Sequence, residues 1–113
     1  MTTSVALGAA IMQGDAYPIP VYVKIDGSVA TPENIDALRV RVGNMTDEYP
    51  NGTITEQRGV WLFPMTQAQS YGLRAGEVPV QAQVMRNGCV IGTAVTTVNV
   101  GKSILKGVWG DGT

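Results

Sequence analysis

The chain contains no histidine, and that absence removes more chemistry than any other feature of its composition. Without an imidazole, neither a Ser-His-Asp nor a Cys-His nucleophile system can form, and zinc and iron sites lose their commonest ligand. Cysteine is nearly absent as well. A single thiol, Cys89, cannot close an internal disulfide, so the small disulfide-framed class is excluded and the redox compartment stays open. Charge is scarce: 15% of residues are Asp, Glu, Lys or Arg, against about 25% in an ordinary soluble domain. The 8 basic and 9 acidic residues give a net charge of −1 and form no runs, so neither a nucleic-acid footprint nor a polybasic membrane patch is expected. No apolar run approaches the roughly 18 residues of a membrane-spanning helix. There is no EF-hand loop, Walker A loop, GxGxxG or SxxK motif. No cofactor, metal or catalytic residue is therefore expected.

What is present is apolar and alternating. With 113 residues, 44% of them hydrophobic, the chain supports one domain over residues 1–113, able to bury about two thirds of its extended-chain surface. The opening MTTSVALGAAIM has a short apolar run, but the first basic residue is Lys24 and a signal peptide needs a positive start. A first strand over Ser4–Met12 is expected instead. Ile19, Val21, Val23 and Ile25 alternate with Pro18, Pro20, Tyr22 and Lys24, the period-2 pattern of a half-buried strand whose prolines mark an edge or a sheet entrance.

Leu38, Val40 and Val42 repeat the pattern between Arg39 and Arg41. Residues 44–52 are rich in turn formers and read as a mobile excursion. Two short strands at 53–55 and 60–63 follow, the second placing Trp61 and Phe63 on one face as core anchors. Thr66 and Gln69 have capping-box spacing, which predicts one short helical turn near 66–72.

The clearest local signal is QVMRNGCVIGT, residues 83–93. Asn87-Gly88 favours a type I′ turn, whose two central residues both need positive φ. Arg86 then faces Cys89 and Val84 faces Ile91, giving an inner face of Val80, Val84, Ile91 and Val95. Val98 and Val100 lie on the opposite parity. One extra residue near Gly92 reconciles the two; the alternative is a strand covered on both faces. The expected architecture is an all-β, immunoglobulin-like β-sandwich of about seven strands. Its expected core is Ile19, Val21, Val23, Leu38, Val40, Trp61, Phe63, Val80 and Val84.

Residues able to carry chemistry are few. A reactive thiol needs a cationic neighbour or a helix N-terminus, and Cys89 has only Arg86 across the turn, so it is taken as a small apolar filler. Asp15, Asp26, Asp47 and Glu48 sit among turn formers and read as loop charges rather than a glycosidase pair. Lys102-Ser103 is weak support for a Lys-activated serine. Asn44 and Asn51 match the glycosylation pattern and receive no role. Tyr17, Tyr22, Tyr49 and Tyr71 would make a carbohydrate platform only if they shared a face. The tail, residues 102–113, carries Ile104, Leu105, Val108 and Trp109 among glycines; either it packs back on the domain or it is an arm for a neighbour.

The segments GDAYPIPVYVKIDG, IDALRVRVG, GVWLFPMTQAQSYGLRAGEVPVQAQV and GTAVTTVNV follow an order that resembles the immunoglobulin-like N-terminal domains of phage baseplate upper proteins and related tail or prophage structural proteins. The likeness runs over about residues 13–104. It implies a non-enzymatic virion structural or assembly protein, tail or baseplate associated, made in the bacterial host cytoplasm and working through homo-oligomers and contacts with other virion proteins, without nucleic acid or membrane. Relatives of the baseplate type continue into a fibre or receptor-binding region, whereas this sequence runs to Thr113, which favours a connector, adaptor or decoration subunit. The expected interface is Val5, Leu7, Ile11, Ile104, Leu105, Val108 and Trp109. The alternatives are capsid decoration or a surface adhesion or carbohydrate-binding module, and, more remotely, an enzyme.

Overall fold

The structure is a computed structural model that describes residues 2–8 and 10–105. Alternating burial along the strands, seen as a strict in-out pattern over Ile19–Ile25 and Gly76–Arg86, folds the chain into two sheets that share one apolar core. The first sheet orders β1 (Thr3–Leu7), β3 (Ile19–Ile25), β8 (Val60–Phe63) and β7 (Thr55–Gln57), with β4 (Ser28–Val29) also on β3. The second orders β2 (Ile11–Met12), β11 (Thr96–Gly101), β9 (Gly76–Arg86), β5 (Ala37–Val42) and β6 (Met45–Tyr49), with β10 (Cys89–Gly92) paired to β9. This is an all-β sandwich, as the alternation predicts. All nine expected core residues are buried.

The described residues hold eleven strands, more than the expected seven, for identifiable reasons. The first expected strand is two. Val5 pairs with Val23 in one sheet and Ile11 runs parallel to Val100 in the other, so the chain changes sheet between Leu7 and Ile11. Gly8 permits the crossing: its N–H donates to the Pro20 carbonyl at 2.9 Å, and a Cβ there would lie 2.8 Å from the Tyr22 ring. The switch also corrects the expected interface. Val5 (7% exposed) and Ile11 (1%) belong to this chain's own core, and Leu7 packs against it half-buried, because each strand turns its apolar parity inward in its own sheet.

Residues 44–52, expected to be an excursion, contain β6, hairpinned to β5 with Met45 opposite Val42. Pro20 enters an interior strand at its start: it pairs with Leu62 of β8, and its carbonyl faces the β1 side, where pairing ends at Leu7 and Val21, so its missing N–H falls beyond the β1 ladder.

The turn chemistry holds. Thr66 caps α1 (Gln67–Tyr71) with a full capping box: its hydroxyl accepts from the Gln69 N–H, and the Gln69 side chain accepts from the Thr66 N–H at 2.9 Å. Asn87 and Gly88 have φ of 52° and 79°, and Arg86 faces Cys89, as a type I′ hairpin requires. Gly88→Val is expected to cost about 1–3 kcal/mol by forcing a β-branched residue to positive φ, read as a lower urea midpoint at unchanged slope.

One extra residue does reconcile the parities of β10 and β11. Gly92 pairs with Gln83 and Thr96 with Val80, so residues 93–95 face only residues 81–82: a bulge. It lies just past Gly92, which corrects Val95. That side chain, expected inside, is 60% exposed, because the extra residue is inserted before its own pairing resumes. Thr93 turns in instead. Its N–H donates to the Ala82 carbonyl at 2.8 Å and its hydroxyl accepts from the Ala82 N–H at 3.1 Å, so the side chain replaces the carbonyl that the bulge displaces.

Candidate functional site

Among the described residues no three of His, Cys, Asp and Glu gather into a possible metal site, and no helix is long and apolar enough to cross a membrane. Cys89 begins β10 as an exposed thiol. Cys89→Ser is expected to leave folding and assembly as in the parent; loss of function on rapid alkylation of the thiol would contradict its role as filler.

Asp47 and Glu48, expected as loop charges, lie instead on β6, where Glu48 pairs with Arg39 at 2.9 Å. Asp47 accepts three hydrogen bonds. Burial raises its pKa, but hydrogen bonds from the Thr53 hydroxyl, the Thr53 N–H and the Glu48 N–H outweigh that and hold the carboxyl below 3.8. This clamp closes the loop after β6, in which a Cβ on Gly52 would meet the Asp47 carboxylate and lie 2.6 Å from the Glu48 carbonyl. A lowered folded-state pKa contributes stability above the unfolded value that is lost as pH falls through the folded one. Thermal midpoints should therefore decline below about pH 4 more steeply in the parent than in Asp47→Asn.

The four tyrosines do not share a face. Tyr17 precedes β3, and Tyr22 stands exposed on the outside of the first sheet. Tyr49 meets Trp61 edge to face, centroids 5.0 Å apart. The Tyr71 hydroxyl donates to the Leu105 carbonyl at 3.1 Å.

That last bond belongs to the most distinctive surface of the molecule. After β11 the chain is pinned to the body by its backbone. The Ser103 N–H donates to the Gln13 side chain at 3.2 Å, and the Gln13 amide donates to the Leu73 carbonyl at 2.9 Å. The Leu105 N–H is accepted by the Ser103 hydroxyl at 3.1 Å. The underlying turn at Gly14 is tied to α1 through Ser70, whose hydroxyl accepts from the Gly14 N–H and donates to the Asp15 carbonyl. On this held backbone Ile104 and Leu105 are 93% and 75% exposed, an apolar pair presented to solvent. Val108 and Trp109, the other expected tail contacts, lie outside the described residues.

At the other end of the second sheet is a shallow hollow of about 310 Å³ on its outer face. Ala37, Glu48, Tyr49, Asn51, Met85 and Val90 line it. Met85 and Val90 are exposed apolar side chains, and Arg39 closes one wall through its 2.9 Å ion pair with Glu48. The sequence shows none of this, because the lining comes from β5, β6, β9 and β10; β6 in particular was not legible as a strand.

No protein-family model matches the chain. No curated protein matches it either. Among solved structures it is similar to the endo-beta-1,4-mannanase from Thermotoga petrophila, with a TM-score of 0.57 and 15% identity over 90% of this chain and 20% of that one. A likeness at that identity is one of fold, and the chain spans about a fifth of that protein's length.

Proposed function

We propose that the chain is a non-enzymatic structural subunit that works by self-association and contact with other virion proteins, in a phage tail or baseplate. The observation that carries self-association is the pair Ile104 and Leu105, left almost fully exposed on a backbone held by hydrogen bonds to Gln13, Tyr71 and Ser103. Exposed apolar groups on an ordered backbone mark a contact surface, since ordering them without burial has no return. A charge-poor surface lowers the desolvation cost of covering it. The virion assignment rests on the order of segments that resembles phage baseplate domains.

Removing residues 102–113 tests the proposal. The sandwich should keep its cooperative unfolding, since the tail's described hydrogen bonds are peripheral to the core, while the assembly state falls to monomer. A truncated chain that unfolds, from a parent already monomeric at high concentration, would make the tail part of the core and remove the support for assembly.

The hollow, with Arg39, Glu48 and Asn51 on its wall, favours a second proposal, a surface adhesion or carbohydrate-binding module. A monomer that binds soluble oligosaccharide with loss of binding in Glu48→Ala would favour it.

A further inference from the structure

We infer that the hollow on the outer face of the second sheet receives the exposed pair Ile104 and Leu105 of a second copy, so that copies join head to tail. This rests on the self-association proposed above and specifies its geometry.

The two surfaces lie at opposite ends of the sheet. Val100 pairs with Gly76 at the start of β9. Leu73 and Val78 close on Gly43 there, each 3.1 Å from where its Cβ would stand, so α1, with the Tyr71 that holds Leu105, belongs to this end. The hollow is lined from the far end of β9, at Met85, and from Val90 across the hairpin. Nine residues of strand separate Gly76 from Met85, about 30 Å at roughly 3.3 Å per residue. Leu105, held at the Gly76 end by the Tyr71 hydroxyl, therefore cannot enter the hollow of its own chain, and another copy's hollow is the one it can meet.

The chemistry of the two surfaces matches. The pair offers two aliphatic side chains, and the hollow offers Ala37, Met85 and Val90 for apolar contact. A knob at one end and a hollow at the other is a heterologous contact, which repeats as a ring or a filament according to its rotation.

The test uses two full-length variants, Val90→Glu in the hollow and Ile104→Glu in the pair. Both positions are exposed, so both chains should unfold at the parent's temperature; Met85→Glu replaces Val90→Glu should the latter fail to fold. Sedimentation velocity should show each variant alone weakened in self-association by about tenfold or more, since one charge is placed in an apolar contact. Mixed in equal amounts, the two should form a dimer and nothing larger, because one intact knob and one intact hollow remain between them. A parent that assembles while Val90→Glu and Met85→Glu assemble undiminished would overturn the docking and leave self-association standing. A monomeric parent would overturn both, and a mixture that stays monomeric would overturn the head-to-tail arrangement.

Discussion

Trp61→Ala should lower the free energy of unfolding by about 3–5 kcal/mol, the range for truncating a large aromatic in a packed core. Trp61 lies fully buried on β8 between the two sheets. Its Nε1–H donates to the Ala30 carbonyl at 3.1 Å, and its ring meets Tyr49 at an interplanar angle of 67°. Alanine therefore leaves a cavity, strands a buried carbonyl, and removes the wall against which Tyr49 is set. Trp61→Phe separates these effects: it keeps much of the volume, so its smaller loss should approach the roughly 1–3 kcal/mol of an unpaired buried polar group. Urea titration gives both numbers. An alanine variant within about 1 kcal/mol of the parent would contradict the placement of Trp61 at the centre of the core.

Thr93→Val should cost about 1–3 kcal/mol, although it changes shape hardly at all. Thr93 is buried, and its hydroxyl accepts from the Ala82 N–H while donating to the Ala94 carbonyl at 3.0 Å. Valine fills the same space and accepts nothing. The Ala82 amide, on the central strand β9, would lose its partner inside the core, where no water replaces it. Thr93→Ser should retain most of the stability. Hydrogen exchange at Ala82 should be accelerated in the valine variant alone. Equal stability of the valine and threonine chains would mean that the bulge is held by the backbone bond between Thr93 and Ala82, without the hydroxyl.

These two residues also mark the limits of what the sequence discloses. Trp61 was legible because its strand alternates and its same-face neighbour is Phe63. Thr93 was not, since a polar residue next to a glycine reads as turn; the parity conflict between Ile91 and Val98 announced a bulge without naming the side chain that completes it. The Asn87-Gly88 hairpin and the Thr66 capping box were legible because their chemistry is contained within four residues. Strand β6 was hidden by Thr46, Asp47 and Glu48, which suit an edge strand: the Ile54 N–H caps the Glu48 carbonyl at 3.2 Å, so its outer side is closed by its own loop rather than by another strand.

For the site, Ile104 and Leu105 stood out as apolar residues with no amphipathic pattern around them, and they are exposed. Val5 and Ile11 looked equally in need of cover. A change of sheet at Gly8 places both inside, and that change depends on how the chain meets Pro20 and Tyr22, residues 12 and 14 positions from Gly8. The hollow depends on four strands brought together by the fold and has no sequence signature at all.

The central claim, that copies of this chain join through the surface presented by Ile104 and Leu105, is tested most directly by the solution mass of the intact chain, measured by light scattering as concentration is raised. The mass should rise above that of the 11.9 kDa chain in whole multiples, and the rise should vanish in the Ile104→Glu variant. A mass that stays at one chain throughout, with the two proteins indistinguishable, would contradict it.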